Sequence, residues 1–465
     1  MSDNKIKKGI MYVFIANIIN LLISLFSGFV LPKFLSIETY ANIKLFQLYI
    51  TYIGILHLGF SDGMYLRLGG KAIDKLNKKD VLEEFKTFKK FQFIVTVVAV
   101  IICIILKQEI LLYCALVIFP VNIANYIRSL YNATGLFKKY SRYTNINTIL
   151  IFLINIALLL IIKSDNYQTY LILYVIAYFV YWIFIEYENR KIFGKDKVKP
   201  KTSYLFEDIK FGFFLMIGNF CNVIFTTIDR IFVQNLLGTI KFAFYSFAVS
   251  IENLMNVFIT PISTVMYNYF CVHDNKEDVV RIKKYILIFS AFIVSLIFGA
   301  KLIVDIWLVK YKEALPVLFL LIGAQYISIM IRCIHVNLYK AEKKQNRYFI
   351  IMIIMVVFSI ISNAIAYLVF KDMIAIAAAT LLTNIIWLII GEIDFKIYRL
   401  RFKDYLYIFL SLLLFLLYSF IFNAVIGGIV YIFTIIIISL ILQKDSFFKF
   451  FNLFKEIIKR KLLKK

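Results

Sequence analysis

Three arginines sit inside long apolar stretches of the chain, at Arg128, Arg230 and Arg332. A guanidinium is permanently charged and planar, and its paired N–H groups match the oxygens of a phosphate. At the centre of a bilayer such a group costs about 2.5–3.5 kcal/mol on insertion scales, so it normally turns toward a cavity or a partner. The chemistry these positions suit is the binding of a phosphorylated group within a membrane. The competing account is that each arginine reaches the nearest lipid headgroups or pairs locally. Arg128 precedes Lys138 by ten residues, about 15 Å of helix, which puts it in the inner part of the membrane together with Arg332. Arg230 lies twenty residues beyond Lys210, about 30 Å, which puts it in the outer part.

Acidic residues in the same stretches are candidates for ion coupling. Glu252 lies near the middle of its apolar segment, between a turn at Gly238 and a polar stretch near His273. A carboxyl shielded from water can exchange a proton as its surroundings change. Asp229 is a second candidate, although a structural pair with its neighbour Arg230 is an equal reading. Asp62 and Glu392 fall near the inner ends of their segments and read as exposed at the interface. Two asparagine pairs, Asn17 with Asn20 and Asn219 with Asn222, could line a polar cavity. Hydrogen bonds between helices, worth about 0.6 kcal/mol each, account for them equally well.

Catalytic and metal chemistry find no comparable footing. The five cysteines and three histidines are scattered without ligand spacing, so no metal site and no cofactor is expected. No Gly-x-x-x-x-Gly-Lys-Ser/Thr phosphate loop occurs. The external connections are too short for a catalytic domain, and the chain is not expected to be an enzyme. Nucleic acid is excluded as a partner by where the net charge of +25 is placed.

The elements that must position these residues follow from composition. Of the 465 residues, 62% are hydrophobic and 17% charged, against roughly 45–50% and 25% in soluble proteins. A membrane helix needs about 20 apolar residues. Spans are predicted at Ile10–Leu31, Ile43–Phe60, Phe91–Leu106, Ile110–Leu130, Ile146–Ile162, Tyr167–Phe184 and Phe211–Leu237. Seven more follow at Phe242–Val265, Tyr285–Ala300, Leu315–His335, Tyr348–Phe370, Met373–Ile390, Tyr405–Phe422 and Ala424–Leu442. The expected fold is thus an all-α polytopic membrane protein of about 14 transmembrane helices. Of the 53 lysines and arginines, 41 fall at the two termini and in the even-numbered connections, nine fall in the others, and three lie inside spans. Basic residues are retained on the cytoplasmic side, so both termini are expected there. The first apolar run, about 22 residues long, reads as a helix entering from the cytoplasm rather than a cleavable signal.

Two self-similarities point to duplication. At an offset of 202, Lys8 meets Lys210, Asn17 meets Asn219 and Asn20 meets Asn222; at 205, Asn132 meets Asn337, Lys138 meets Lys343 and Arg142 meets Arg347. Six-helix halves entering from the same side would form a parallel repeat about an axis along the membrane normal. The expected organisation is a six-helix bundle over 1–200, a second over 201–395, two added helices over 396–445, and a basic amphipathic tail over 446–465. The tail, and a stretch at Ile73–Phe88, read as interfacial helices on anionic membrane lipids.

Several segments resemble one family in the same order. His57-Leu58-Gly59-Phe60-Ser61-Asp62-Gly63 with Arg67, Arg128 with Tyr131-Asn132 and Gly135, and Ile228-Asp229-Arg230-Ile231 with Gly238 and Tyr245-Ser246 carry it, as do Pro261 and Leu302 through Leu318. Together they resemble the polysaccharide and O-antigen flippases of Wzx type, in the multidrug/oligosaccharidyl-lipid/polysaccharide (MOP) exporter superfamily. That resemblance implies a protein of the bacterial cytoplasmic (inner) membrane serving lipopolysaccharide O-antigen or capsule synthesis. It would move an undecaprenyl-diphosphate-linked oligosaccharide to the outer leaflet, by alternating access with ion coupling. A polysaccharide polymerase and chain-length machinery would be its partners. Arg128 and Arg332 would then contact the diphosphate in an inward-facing state and Arg230 at an outward stage. Multidrug exporters and lipid II flippases of the same superfamily are the alternatives.

Overall fold

The structure, a computed structural model, describes residues 21–194, 198–272 and 275–452. Among these it is helical throughout, with no strand. The first elements are α1 (Leu21–Phe34), α2 (Ile37–His57), α3 (Phe60–Leu68), α4 (Lys78–Ile105), α5 (Glu109–Ala133), α6 (Phe137–Ile162) and α7 (Tyr167–Phe193). They are followed by α8 (Thr202–Leu237), α9 (Thr239–Val272), α10 (Lys276–Ile306), α11 (Val309–Ala341), α12 (Gln345–Phe370), α13 (Met373–Asp394), α14 (Phe402–Ile421) and α15 (Ala424–Leu442). Twelve of these are long and apolar enough to cross a membrane, α4 through α15, and the bent pair α2–α3 makes a thirteenth if it is one span. α1 is a shorter apolar helix whose expected first half lies outside the described residues.

Helix ends are written in the local sequence. Asn77, Asn166, Asn275 and Asn423 each accept a backbone N–H of the first turn that follows, which satisfies a donor the helix itself cannot. At the opposite ends of α6 and α12, Lys163 and Lys371 take left-handed backbone with φ of 54° and 49°. The sharpest break separates α2 from α3 at an angle of 63°. Leu58 and Gly59 are both left-handed there, with φ of 51° and 88°. The motif at 57–63 is therefore first of all a hinge in the backbone.

Contacts divide the chain into two compact units, Met1–Thr227 and Ile228–Lys465, and the division falls within α8. Each unit is built round one helix. In the first, α5 packs against α3, α4, α6 and α7; in the second, α11 packs against α9, α10, α13 and α14. α11 is the most enclosed of the candidate spans.

The stretch at 73–88 does not lie flat on a surface as its amphipathic pattern predicts. From Lys78 it is the first part of α4. Leu82, Phe85 and Phe88 are buried in a cluster with Phe60 and Tyr126, where Phe60 stacks on Phe88 at 4.9 Å. A tertiary partner was available for the apolar face, so no lipid surface was needed. Of the basic tail, the described part to residue 452 sets Phe447 and Phe451 against Phe292 of α10, and Phe450 against Tyr285; its remainder lies outside the described residues.

Candidate functional site

A polar constellation of the second unit forms where α9 meets α11. α11 contains a π-helical segment at Ile331–His335. A wide turn of this kind breaks the regular ladder and leaves carbonyl groups in need of donors. Asn337 Nδ2 donates to the carbonyl oxygens of Arg332 and Cys333 at 3.2 and 3.1 Å, and Ser263 Oγ donates to that of Arg332 at 3.0 Å. Asn337 also reaches the Ser263 carbonyl at 2.9 Å, tying α11 to α9. The bulge is thus fixed, and it sets where the Arg332 side chain leaves the helix.

That side chain meets amides. Arg332 Nη1 donates to Asn256 Oδ1 at 2.5 Å, and Asn256 Nδ2 donates to Asn253 Oδ1 at 2.9 Å. Asn253 opens a short 3-10 turn, Asn253–Met255, that interrupts α9 directly after Glu252. Glu252 accepts a hydrogen bond from Gln325 Nε2 of α11 at 2.8 Å and lies within electrostatic range of Arg332, Arg230 and Asp229. Asp229 is buried and accepts the Tyr245 hydroxyl at 2.8 Å and the Arg230 backbone N–H at 2.7 Å. Four of the residues singled out by sequence, Asp229, Arg230, Glu252 and Arg332, therefore share one neighbourhood.

In the first unit Arg128 of α5 donates to Asn125 Oδ1, one turn earlier on the same helix. Its Nε is buried and makes no hydrogen bond among the described residues. Among those residues, no carboxylate forms an ion pair with either Arg128 or Arg332; each guanidinium is held by a neutral amide oxygen. The amide satisfies hydrogen-bonding geometry but brings no opposite charge of its own. An anion arriving at Arg128 would find an oriented cation with no carboxylate bonded to it, and at Arg332 one whose neighbouring acid, Glu252, bonds Gln325 rather than the guanidinium.

The asparagine candidates fare unevenly. Asn219 is exposed and reaches Asp62 Oδ1 at 3.4 Å, and Asn222 is exposed on α8. Asn17 and Asn20 lie outside the described residues.

Two buried charge networks escaped the sequence reading. In the first unit Arg67 joins Asp208 Oδ1 at 3.0 Å and Glu84 Oε2 at 2.5 Å, and Tyr126 donates to Glu84 Oε1 at 2.8 Å. Gly63 and Gly212 let α3 and α8 cross here: a Cβ on Gly63 would overlap the Asp208 carbonyl, and one on Gly212 the Gly59 carbonyl. In the second unit Glu392 corrects the expectation of an exposed interfacial acid, since it is buried. Its Oε1 receives Lys283 Nζ at 2.5 Å and lies 3.0 Å from His335 Nε2, while its Oε2 accepts the Tyr405 hydroxyl at 2.8 Å. These charges sit in polar flanks where hydropathy marks nothing unusual, so only contact could reveal their burial. Among the described residues no cluster of His, Cys, Asp and Glu could hold a metal ion.

Two helical units, each built round an enclosed helix that carries an arginine and made mostly of helices long and apolar enough to cross a membrane, describe a polytopic membrane protein. Solved structures agree on the fold. A lipid II flippase, MurJ, in an inward closed conformation superposes with a TM-score of 0.72 at 18% identity, covering 94% of this chain and 99% of its own. A multidrug resistance MATE family transporter of the MOP superfamily matches with a TM-score of 0.59 at 12% identity in an inward-facing conformation, covering 84% and 95%. An outward-facing MATE structure gives 0.51 at 13% identity, over 83% and 94%. By sequence the chain belongs to the polysaccharide biosynthesis protein family, whose model matches residues 6–272. No curated protein matches it. The structural neighbours are themselves a flippase and transporters.

Proposed function

We propose that this protein carries an undecaprenyl-diphosphate-linked oligosaccharide, an O-antigen or capsule repeat unit, from the inner to the outer leaflet of the bacterial cytoplasmic membrane. The observation that carries this reading is the state of Arg128 and Arg332: two guanidinium groups within apolar helices, oriented by amides and forming no ion pair with a carboxylate among the described residues. A diphosphate supplies the missing charge, and its oxygens accept paired N–H donors. Multidrug exporters of small cations would be served by acids at these positions, not arginines.

The halves built round α5 and α11 act as sister bundles that exchange access to the two leaflets. Interactions recur between them. Lys89 of α4 pairs with Glu186 of α7 at 2.8 Å, as Lys283 of α10 pairs with Glu392 of α13. Tyr131 of α5 donates to Asn189 of α7 at 3.3 Å, as Tyr339 of α11 donates to Asp394 of α13 at 2.7 Å. Such recurrence supports an ancestral parallel duplication of six helices, with both termini cytoplasmic. Arg230 takes the diphosphate at an outward stage. Glu252, set beside Arg332 and Asp229, couples transport to an ion gradient.

Arg128→Ala and Arg332→Ala, assayed for surface polysaccharide at equal protein level, test the reading. Loss in either supports it, and unchanged polysaccharide in both removes it. The likeness in fold to a lipid II flippase favours one second reading, in which the lipid carrier bears a cell-wall precursor instead. Both cargoes present the same diphosphate, so complementation of strains lacking one or the other flippase separates them.

A further inference from the structure

At the end of α13 the chain turns through a short 3-10 segment, Lys396–Tyr398, before α14 begins at Phe402. A cavity of about 280 Å³ opens at this turn, lined by Ile389, Glu392, Ile393, Lys396, Arg399 and Tyr405 among others. Its one acid contributes no free negative charge: Glu392 is engaged by Lys283, His335 and Tyr405. The next acids along the chain are also taken. Asp394 is forked by Arg347 at 2.9 Å through both Nε and Nη2, and Asp404 pairs with Lys284 at 3.2 Å. The potential in the cavity is accordingly set by Lys396 and Arg399, both exposed. Leading away from it along one face of α13 and into the turn, Ile389, Ile393 and Ile397 are 52%, 54% and 69% exposed.

We propose that this cavity holds the headgroup phosphate of an anionic phospholipid, with Lys396 and Arg399 as its cations and the Ile389–Ile393–Ile397 stripe along an acyl chain. The two features call for one ligand. A soluble phosphate would use the cations and leave the isoleucines idle, whereas a neutral lipid would use the isoleucines and forgo the cations. A headgroup with chains satisfies both, and 280 Å³ admits a glycerol phosphate but not the whole lipid. The tie from Glu392 through Lys283 to α10 makes the cavity floor part of the second unit's packing, so an occupied site would brace the α13–α14 turn. The site is independent of the arginines of α5 and α11 and does not rest on the transport proposal.

Native mass spectrometry of the purified chain in mild detergent, titrated with phosphatidylglycerol, phosphatidylethanolamine and glycerol phosphate, tests it. Phosphatidylglycerol should be retained in preference to phosphatidylethanolamine, and glycerol phosphate should bind far more weakly than either. The double variant Lys396→Gln/Arg399→Gln should lose roughly 30-fold in phosphatidylglycerol affinity, each basic contact near a membrane surface being worth roughly a factor of five. A charge-matched control, Lys107→Gln/Lys312→Gln, removes two exposed lysines from other connections and should keep the wild-type affinity. Both variants alter exposed side chains, and an unchanged melting temperature in lipid-free detergent certifies their folding. Equal losses in the two variants, no loss in the first, or glycerol phosphate binding as tightly as the lipid would overturn the assignment.

Discussion

A guanidinium held by an amide differs from one held by a carboxylate in what it can still do. Arg67, clasped by Glu84 and Asp208, has its charge spent on packing. Arg332 is hydrogen-bonded to Asn256 and, in the proposed function, keeps its charge for the diphosphate. The contrast yields two residue-scale predictions. Arg332→Ala and Arg128→Ala should each lower export by roughly tenfold or more, since a hydrogen bond to a charged group is worth about 1.5–3 kcal/mol; surface polysaccharide at matched protein level is the measure. Glu252→Gln keeps an acceptor for Gln325 but abolishes the charge. Transport by that variant should no longer respond to collapse of the proton or sodium gradient, and a preserved response would exclude Glu252 as the coupling group. The arginines themselves were legible from type and setting alone, because a charge in an apolar run is conspicuous. Their partners were not: Asn256 lies 76 positions from Arg332, and nothing in either segment announces the other.

At the scale of the element, small residues and breaks in regular helix do the positioning. α3 crosses α8 with backbones nearly touching at Gly63 and Gly212, a distance no side chain permits. Gly63→Ala should destabilise the fold by about 1–3 kcal/mol, the usual cost of forcing extra atoms into a packed contact. Gly54→Ala, where a Cβ would meet nothing within 4 Å, serves as its control, and thermal unfolding in detergent compares the two. The Lys283–Glu392–His335 network makes a parallel case. Removing one partner of a buried pair leaves an uncompensated charge and costs about 3–5 kcal/mol. Lys283→Met should therefore lower the melting temperature markedly, and Lys283→Met/Glu392→Leu should recover part of the loss; a double variant no better than the single would mean the pair contributes little. The helices themselves were readable from hydropathy, but the hinge at Leu58–Gly59 and the wide turn at Ile331–His335 were not. Both depend on what packs beside them, as the donors from Asn337 and Ser263 to the bulge show.

Over the whole molecule, the polysaccharide biosynthesis family and the MOP fold set the frame, and the recurring pairs in the two halves fill it in. A strain lacking its polysaccharide flippase should regain surface glycan when this chain is supplied, and lose it again with the Arg128→Ala/Arg332→Ala form. A strain lacking its lipid II flippase should gain no viability. Rescue of the second strain alone would transfer the cargo from a polysaccharide unit to a cell-wall precursor and leave the diphosphate chemistry intact.

By itself the sequence determined that the chain is a bundle of apolar helices, where most of them begin and end, and which charges lie inside them. Those properties are local: transfer from water to an apolar medium is a sum over neighbouring residues, and about 20 in a row suffice to decide it. Only the tertiary structure decided which charges meet acids and which meet amides, why the amphipathic stretch at 73–88 joined the core, and why Glu392 is buried. Those outcomes turn on pairings between residues as far apart as the 141 positions separating Arg67 from Asp208. The energy of such a pair depends on distance and burial, and neither is a property of either residue's neighbours in the chain.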